Sequence, residues 1–223
     1  MGETYLQTQI DQILSREQRL EWLVQLGVRA ASVANFGCAA GGETLALMWA
    51  LGASQATGLD EDEGAIRQAQ DTLRSIQDTV KRMGHCLDQV WQDDSVLDFF
   101  KRDLLQAGGV SFLVRDMTTF TGLPSDHYDV AYCDFVLYHI WHDAARENAP
   151  RDTAFAVSEM ARVTRPGGAV IVSEPIGYFE RPGPDFTLLF QVADLEIEYE
   201  EEREINGLDE QGVVARYLCR KSV

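Results

Sequence analysis

The chain has 223 residues, of which 45% are hydrophobic and 25% are charged, and this is the composition of an ordinary globular protein. Its formal net charge is −17, and such a field repels nucleic acid and anionic membrane surfaces. No apolar run approaches the roughly 20 residues that a membrane-spanning helix needs, and the N-terminus carries no secretory signal pattern. We therefore expect a single cytoplasmic domain over residues 1–223, with neither nucleic acid nor a membrane as a partner.

The first part of the chain predicts a βαβ unit. Apolar residues at helical spacing predict N-terminal helices within residues 1–30. A buried strand follows at 31–37, then a helix at 43–53 and a second strand at 56–60. A short glycine turn separates the first strand from the helix.

Three further strands are predicted at 110–116, 128–137 and 167–175, each preceded by a segment with helical periodicity. Alternating residues at 195–205 and 212–220 predict a terminal antiparallel hairpin. Together these elements predict an α/β fold with a doubly wound, mostly parallel, seven-stranded Rossmann-like sheet. The sheet would include this C-terminal antiparallel hairpin and carry helices on both faces.

The segment between the second and third strands is unusually long, because Asp60 and Asp116 lie 56 positions apart. A helical insertion at 85–107 accounts for this length. Its partly apolar face favours packing against the preceding helix, or against a second copy of the chain in a homodimer, over a flap that covers a substrate.

The stretch "VANFGCAAGGET" at 33–44 is a glycine-rich turn between a strand and a helix. Gly37, Gly41 and Gly42 allow a ligand to approach the backbone closely. Two ligand classes suit such a turn, namely a dinucleotide and a nucleoside that carries an amino acid. The turn by itself does not decide between them.

Several further motifs follow in an order that resembles class I S-adenosylmethionine-dependent methyltransferases, over roughly residues 31–175. The turn resembles the first motif of that family, in which an acidic residue precedes Gly-x-Gly-x-Gly. Here Asn35 occupies the acidic position, and Ala39 replaces the middle glycine. The stretches "YDVAYCDFVLYHIW" and "SEMARVTRPGGAVIVSEP" resemble the fourth-strand motif and the helix, turn and strand that follow it.

The resemblance implies S-adenosylmethionine as the cofactor and assigns roles to particular residues. Asp60 would accept hydrogen bonds from the ribose hydroxyls, Asp116 would receive the adenine amine, and Met117 would lie beside the ring. The full set of implied cofactor-binding residues is Asn35, Gly37, Cys38, Ala39, Gly41, Asp60, Glu61, Asp116, Met117, Asp134 and Phe135.

Two of these positions depart from the family pattern. Asn35 can accept a hydrogen bond but cannot form an ion pair with the ammonium group of the cofactor. We expect the Cβ of Ala39 to restrict the backbone to φ and ψ values that tolerate a side chain.

A dinucleotide suits the chain less well than S-adenosylmethionine does. Ala39 breaks the dinucleotide glycine fingerprint, and Glu43 would place an anion in the first helical turn, where a pyrophosphate binds. The sulfonium and ammonium groups of S-adenosylmethionine are instead attracted by carboxylates. Asp60, Asp116 and Asp134 all fall at the carboxyl ends of parallel strands, where ligands bind in such sheets.

Methyl transfer needs little beyond alignment, because the sulfonium is already an activated donor. His139, which follows the fourth strand, is the candidate general base if one is used. It could share a helix face with His142 and Asp143, but a metal site would also need distant ligands, so we predict no metal. We expect a small-molecule acceptor with Tyr138, Trp141, Tyr178 and Phe179 as candidate pocket walls.

Two other functions remain open. An aminopropyl transferase would use the same fold, but Asp134 alone represents the acidic motif that such enzymes carry near the fourth strand. A non-catalytic cofactor-binding or scaffold protein is the alternative from another class, and only turnover distinguishes it from an enzyme.

Overall fold

The structure is a computed structural model that describes residues 20–83, 109–143, 145–176, 183–205 and 212–222. The predicted insertion at 85–107, most of the predicted N-terminal helices, and the wall candidates Tyr178 and Phe179 lie outside these residues.

The chain divides into two compact units. One comprises the described residues within Met1–Val33 and Cys38–Val114, and the other those within Ala34–Gly37 and Arg115–Val223. The boundary between the two units passes through the first strand and the glycine turn.

Within the described residues, seven strands form one sheet in the order β3-β2-β1-β4-β5-β7-β6. The strands are β1 (Ser32–Phe36), β2 (Gln55–Asp60), β3 (Val110–Val114), β4 (Tyr128–Asp134), β5 (Thr164–Ile176), β6 (Leu195–Ile205) and β7 (Gly212–Lys221). β2 pairs with β3, and β4 with β5, in parallel, whereas β7 pairs antiparallel with both β5 and β6. The predicted fold class is therefore confirmed.

Five helices are described with both ends, and none of the described helices is long and apolar enough to cross a bilayer. They are α1 (Gly42–Leu51), α2 (Glu63–Met83), α3 (Leu137–His142), α4 (Ala149–Val163) and α5 (Phe186–Val192). Residues 20–25 are also helical. Gly27, with φ of 72°, ends that stretch, so helical structure stops before the predicted limit at residue 30.

In the first unit, β2 and β3 pack against α2. Within this unit, the backbone of β2 lies very close to two side chains at Gly58. A Cβ at Gly58 would lie 2.7 Å from the ring of Phe112 and 2.8 Å from the Sγ of Cys38. Only glycine therefore allows the backbone of β2 to lie this close to both side chains. This packing places the end of β2 directly beside the glycine turn.

In the second unit, α5 packs against β7 through aromatic rings. Phe186 and Phe190 lie 5.4 Å and 5.2 Å from the ring of Tyr217, measured between centroids. The central residues of β5 are buried, as expected for a strand between two neighbours. The antiparallel hairpin is thereby attached to the parallel part of the sheet.

Details of the predicted elements between β3 and α3 are wrong. Residues 115–127, between β3 and β4, contain no helix, although helical periodicity was expected before the fourth strand. The buried Glu159 accepts hydrogen bonds from the N–H and hydroxyl of Thr121, so this link is held by tertiary contacts. β4 ends at Asp134 rather than at residue 137, because the backbone turns sharply at Phe135.

Candidate functional site

The glycine turn has an unusual backbone. Gly37, Ala39 and Gly41 have φ of 75°, 45° and 81°, so every second residue is in the left-handed region. Ala39 therefore adopts a conformation that disfavours a Cβ, contrary to the expectation from sequence. Strain of this kind persists where the surrounding structure enforces it, and it is typical of functional turns.

Asp60 at the end of β2 enforces this turn in the first unit. Its Oδ2 accepts the backbone N–H of Ala39 at 2.8 Å, and its Oδ1 accepts the N–H of Asp62 at 2.9 Å. A carboxylate offers about four acceptor positions, so both oxygens keep capacity for further donors. This arrangement suits a ligand with two hydroxyl groups. Glu61, the next residue, is exposed.

The start of α1 is closely packed and carries a negative charge. A Cβ at Gly41 would lie 2.6 Å from the ring of Phe112, so that position requires glycine for space as well as for its φ. Burial, with a contribution from Asp60, raises the pKa of the Cys38 thiol to about 12, and the thiol is therefore neutral. Glu43 lies in the first turn of the helix, which disfavours a pyrophosphate there.

The second unit contains the other end of the turn. Asn35 is completely buried in β1. A Cβ at Gly37 would overlap the Cγ2 of Val136, so this residue lies directly against the glycine. Gly37 therefore permits a contact between the turn after β1 and the turn after β4.

Asp116 lies in the link after β3, beside the buried Met117. Its Oδ1 accepts the N–H of Thr118 at 2.8 Å and the Thr118 hydroxyl at 2.6 Å. Arg146 donates to the same hydroxyl oxygen at 3.1 Å. No described residue donates to Oδ2 of Asp116, so that oxygen is oriented and can accept an amine.

The turn after β4 is the second strained segment. Phe135, with φ of 59°, directly follows the half-buried Asp134. Such a value is an outlier for a bulky residue. The N–H of Phe135 donates to the carbonyl of Ser173 on β5 at 2.8 Å, which holds the turn against the end of the neighbouring strand.

Glu174 on β5 is a residue that the sequence analysis missed. It is fully buried, and its Oε1 accepts the N–H groups of Val136 and Leu137 at 3.0 Å and 2.8 Å. Its Oε2 accepts the N–H of Tyr138 at 3.2 Å. Burial raises its pKa to about 8, and Asp134 adds to this, although the three N–H groups act in the opposite direction. An acidic residue within the apolar stretch "AVIVSEP" was the available signal.

The candidate base His139 lies on α3 and is exposed. Within the described part of the chain, no residue forms a hydrogen bond or ion pair with it. Tyr138 is buried, and its ring lies 4.3 Å from that of His142. The described residues contain no group of three or more His, Cys, Asp or Glu that could hold a metal ion.

A protein-family model described as a methyltransferase domain matches residues 34–172, which is more than half of the chain. This match begins within β1 and ends within β5, so it includes both strained turns. A comparison with curated protein sequences gave no match.

Solved structures of similar fold include several methyltransferases. A SAM-dependent methyltransferase from Methanosarcina mazei is 16% identical, with 87% of this chain and 93% of that chain covered and a TM-score of 0.61. Magnesium protoporphyrin IX methyltransferase from Synechocystis PCC 6803 with bound SAM is 15% identical over 97% and 84% of the chains, with a TM-score of 0.59. The [4+2]-cyclase SpnF is 15% identical, with 93% of this chain and 81% of that chain covered and a TM-score of 0.63. At these identities the similarity shows the fold alone.

Proposed function

The chain belongs to the methyltransferase domain family, and we propose that it transfers a methyl group from S-adenosylmethionine to a small-molecule acceptor, chiefly by positioning the two. The family predicted from the sequence motifs, that of the S-adenosylmethionine-dependent methyltransferases, is confirmed, and with it the enzyme class and the cofactor of the family. The acceptor and the roles of individual residues are the proposal.

Each unit contains described residues that suit one part of S-adenosylmethionine. In the first unit, Asp60 is fixed by two backbone N–H groups and keeps acceptor capacity for ribose hydroxyls. In the second unit, Asp116 presents an oriented Oδ2 that suits the adenine amine, and Met117 supplies an apolar neighbour. When bound, the cofactor supplies a methyl group on a positively charged sulfur, which is already activated for displacement.

The isolation of His139 is the observation that favours positioning over acid-base catalysis. A general base is normally oriented by a hydrogen bond from a second group. Among the described residues His139 has no such partner, and it is exposed. An acceptor that loses its proton easily needs only alignment with the methyl group, as the proposal requires.

The proposal of a small-molecule acceptor is supported by charge. A net charge of −17 opposes the binding of nucleic acid, which carries a dense negative charge. Acidic residues on β6, such as Glu198 and Glu202, add to this field on the terminal hairpin. A small neutral or cationic acceptor is compatible with such a surface.

The test is the formation of S-adenosylhomocysteine from S-adenosylmethionine when the protein is incubated with a fractionated metabolite pool. We expect product that depends on the added pool and a methylated compound of matching mass. The variant Asp60→Ala should lose this activity. Glu63→Gln also removes one negative charge, but from an exposed side chain on α2, and it should retain the activity. Binding of S-adenosylhomocysteine without turnover across a broad panel would instead indicate the non-catalytic alternative.

A further inference from the structure

Glu174 is a fully buried carboxyl group near the carboxyl end of β5, and no cationic side chain among the described residues forms a hydrogen bond or ion pair with it. Removal of a carboxylate from water is costly unless hydrogen bonds replace the lost hydration. The replacement here comes from three consecutive backbone N–H groups, those of Val136, Leu137 and Tyr138. The Sγ of Cys133 also lies 3.9 Å from Oε1.

These three N–H groups belong to the beginning of α3. The first N–H groups of a helix have no partner within the helix, and a side chain at the N-cap usually supplies one. Val136 occupies the N-cap position and has no side chain that can accept a hydrogen bond. Glu174 therefore performs the capping function from a neighbouring strand, 36 to 38 residues further along the chain.

The same contact stabilises the strained turn that precedes the helix. Phe135 is held on one side by its N–H bond to the Ser173 carbonyl. On the other side, Val136 is bonded to Glu174. The left-handed φ of Phe135 is thus enforced by two adjacent residues of β5, and backbone strain maintained in this way is typical of functional sites.

Val136 extends the effect to the glycine turn. Its N–H is bound by Glu174, and its Cγ2 occupies the space that a Cβ of Gly37 would need. A shift of Val136 would therefore remove the packing surface of Gly37. Both turns carry residues that the family resemblance assigns to cofactor binding, namely Gly37, Asp134 and Phe135.

We propose that Glu174 is a positioning residue of the methyltransferase site, which holds residues 135–138 and, through Val136, Gly37 in the arrangement that binds the cofactor. This inference rests on the proposed function. Glu174 acts through backbone groups and through Val136, and it does not itself contact the cofactor. The raised pKa of Glu174 agrees with this role, because an energetically costly buried acid is more common at functional sites than elsewhere.

The test uses Glu174→Gln with S-adenosylhomocysteine as the calorimetric probe, at pH 9, where the wild-type side chain is ionised. Glutamine retains the size and one acceptor oxygen but turns an NH₂ group towards one of the three N–H donors. We expect the folded variant to bind the probe about ten- to a hundredfold more weakly, because small displacements of positioning groups have effects of this size. The amide protons of residues 136–138 should shift upfield in its NMR spectrum, since a charged acceptor is lost.

The matched control is Thr164→Val, which removes a fully buried hydroxyl at the other end of β5 that donates to the Met160 carbonyl at 2.8 Å. It should lower the free energy of unfolding and leave probe affinity within about threefold of wild type. A purely structural role of Glu174 would give the same pattern as this control. Affinity of a folded Glu174→Gln protein within about twofold of wild type would overturn the inference.

Two measurements remain informative if Glu174→Gln does not fold. In the wild type, the amides of residues 136–138 should exchange slowly with solvent, unlike ordinary first-turn amides, and rapid exchange would contradict the geometry. Val136→Ala leaves Glu174 intact and should weaken probe binding severalfold through the loss of contact with Gly37. Failure of the wild-type protein to bind the probe would instead contradict the proposed function.

Discussion

Asp60 accepts a 2.8 Å hydrogen bond from the backbone N–H of Ala39, so the carboxylate assigned to the ribose also holds the middle of the glycine turn. Asp60→Ala should remove both interactions. We expect a loss of about 1.5–3 kcal/mol of binding free energy for S-adenosylhomocysteine, or roughly ten- to a hundred-and-fifty-fold in affinity. Calorimetry measures this, with Glu63→Gln as the charge-matched control. Unchanged affinity in a folded variant would remove the ribose assignment.

Asp116→Ala should have a smaller effect, because the adenine ring also gains from apolar contact with neighbours such as Met117. We expect affinity for S-adenosylhomocysteine to fall about three- to tenfold, which is the scale of one lost hydrogen bond. Thr118→Val leaves the carboxylate but removes the hydroxyl that orients it, and a decrease in the same direction is expected. If both variants bind as tightly as wild type, Asp116 does not contact adenine.

Ala39→Gly should stabilise the protein. The φ of 45° at Ala39 disfavours any residue with a Cβ, and glycine removes that strain at a modest entropic cost. We expect the free energy of unfolding in urea to rise by about 0.5–1 kcal/mol. Ala40→Gly is the matched control, because Ala40 is not among the residues with positive φ, and it should not stabilise. A decrease for Ala39→Gly would contradict the strained geometry.

His139→Ala distinguishes a positioning enzyme from one that uses acid-base chemistry. Once an acceptor is known, we expect the single-turnover rate to fall less than about tenfold, because among the described residues His139 has no orienting partner. Affinity for S-adenosylhomocysteine should not change. A loss of a hundredfold or more with unchanged affinity for S-adenosylhomocysteine would establish His139 as the base.

Glu174 should make stability depend on pH in an identifiable direction. Burial raises its pKa from 4.5 to about 8 in the folded state, so the folded protein holds the proton more tightly than the unfolded chain does. The stability that this proton contributes is complete below about pH 4.5 and is lost as the pH rises through about 8, by up to about 5 kcal/mol. Urea unfolding at a series of pH values measures the slope, which should be shallower in Glu174→Gln.

Glu159 provides a control of opposite sign for that experiment. Burial tends to raise its pKa, but the hydrogen bonds from Arg162 and Thr121 outweigh burial and lower it. Its contribution to stability is therefore present above pH 4.5 and is lost at lower pH. Glu159→Gln should flatten only the acid side of the plot of unfolding free energy against pH.

The contradicting outcome for Glu174 is a plot of unfolding free energy against pH that is identical for wild type and Glu174→Gln. That result would show that Glu174 does not titrate as described.

The sequence by itself determined the strands, the terminal antiparallel hairpin, and the candidate ligand positions at the carboxyl edge of the sheet. Alternation and apolar runs are local patterns, and the glycine turn with Asp60 follows from the order of strand, turn and helix. The family resemblance depended on the same local stretches. Where local pattern was misleading, as in the link at 115–127, tertiary hydrogen bonds between Thr121 and Glu159 hold the chain in a non-helical form.

Only the tertiary structure decided the shape of the two turns. The left-handed φ of Ala39 depends on the Asp60 carboxylate, 21 residues away. The left-handed φ of Phe135 depends on the hydrogen bond from its N–H to the Ser173 carbonyl on β5. Glu174 reaches Val136 only because β4 and β5 pair in a particular register, with Asp134 beside Ser173. Sequence periodicity determines which residues are buried, but which backbone N–H groups a buried carboxylate meets depends on strand register and on the packing of neighbouring elements.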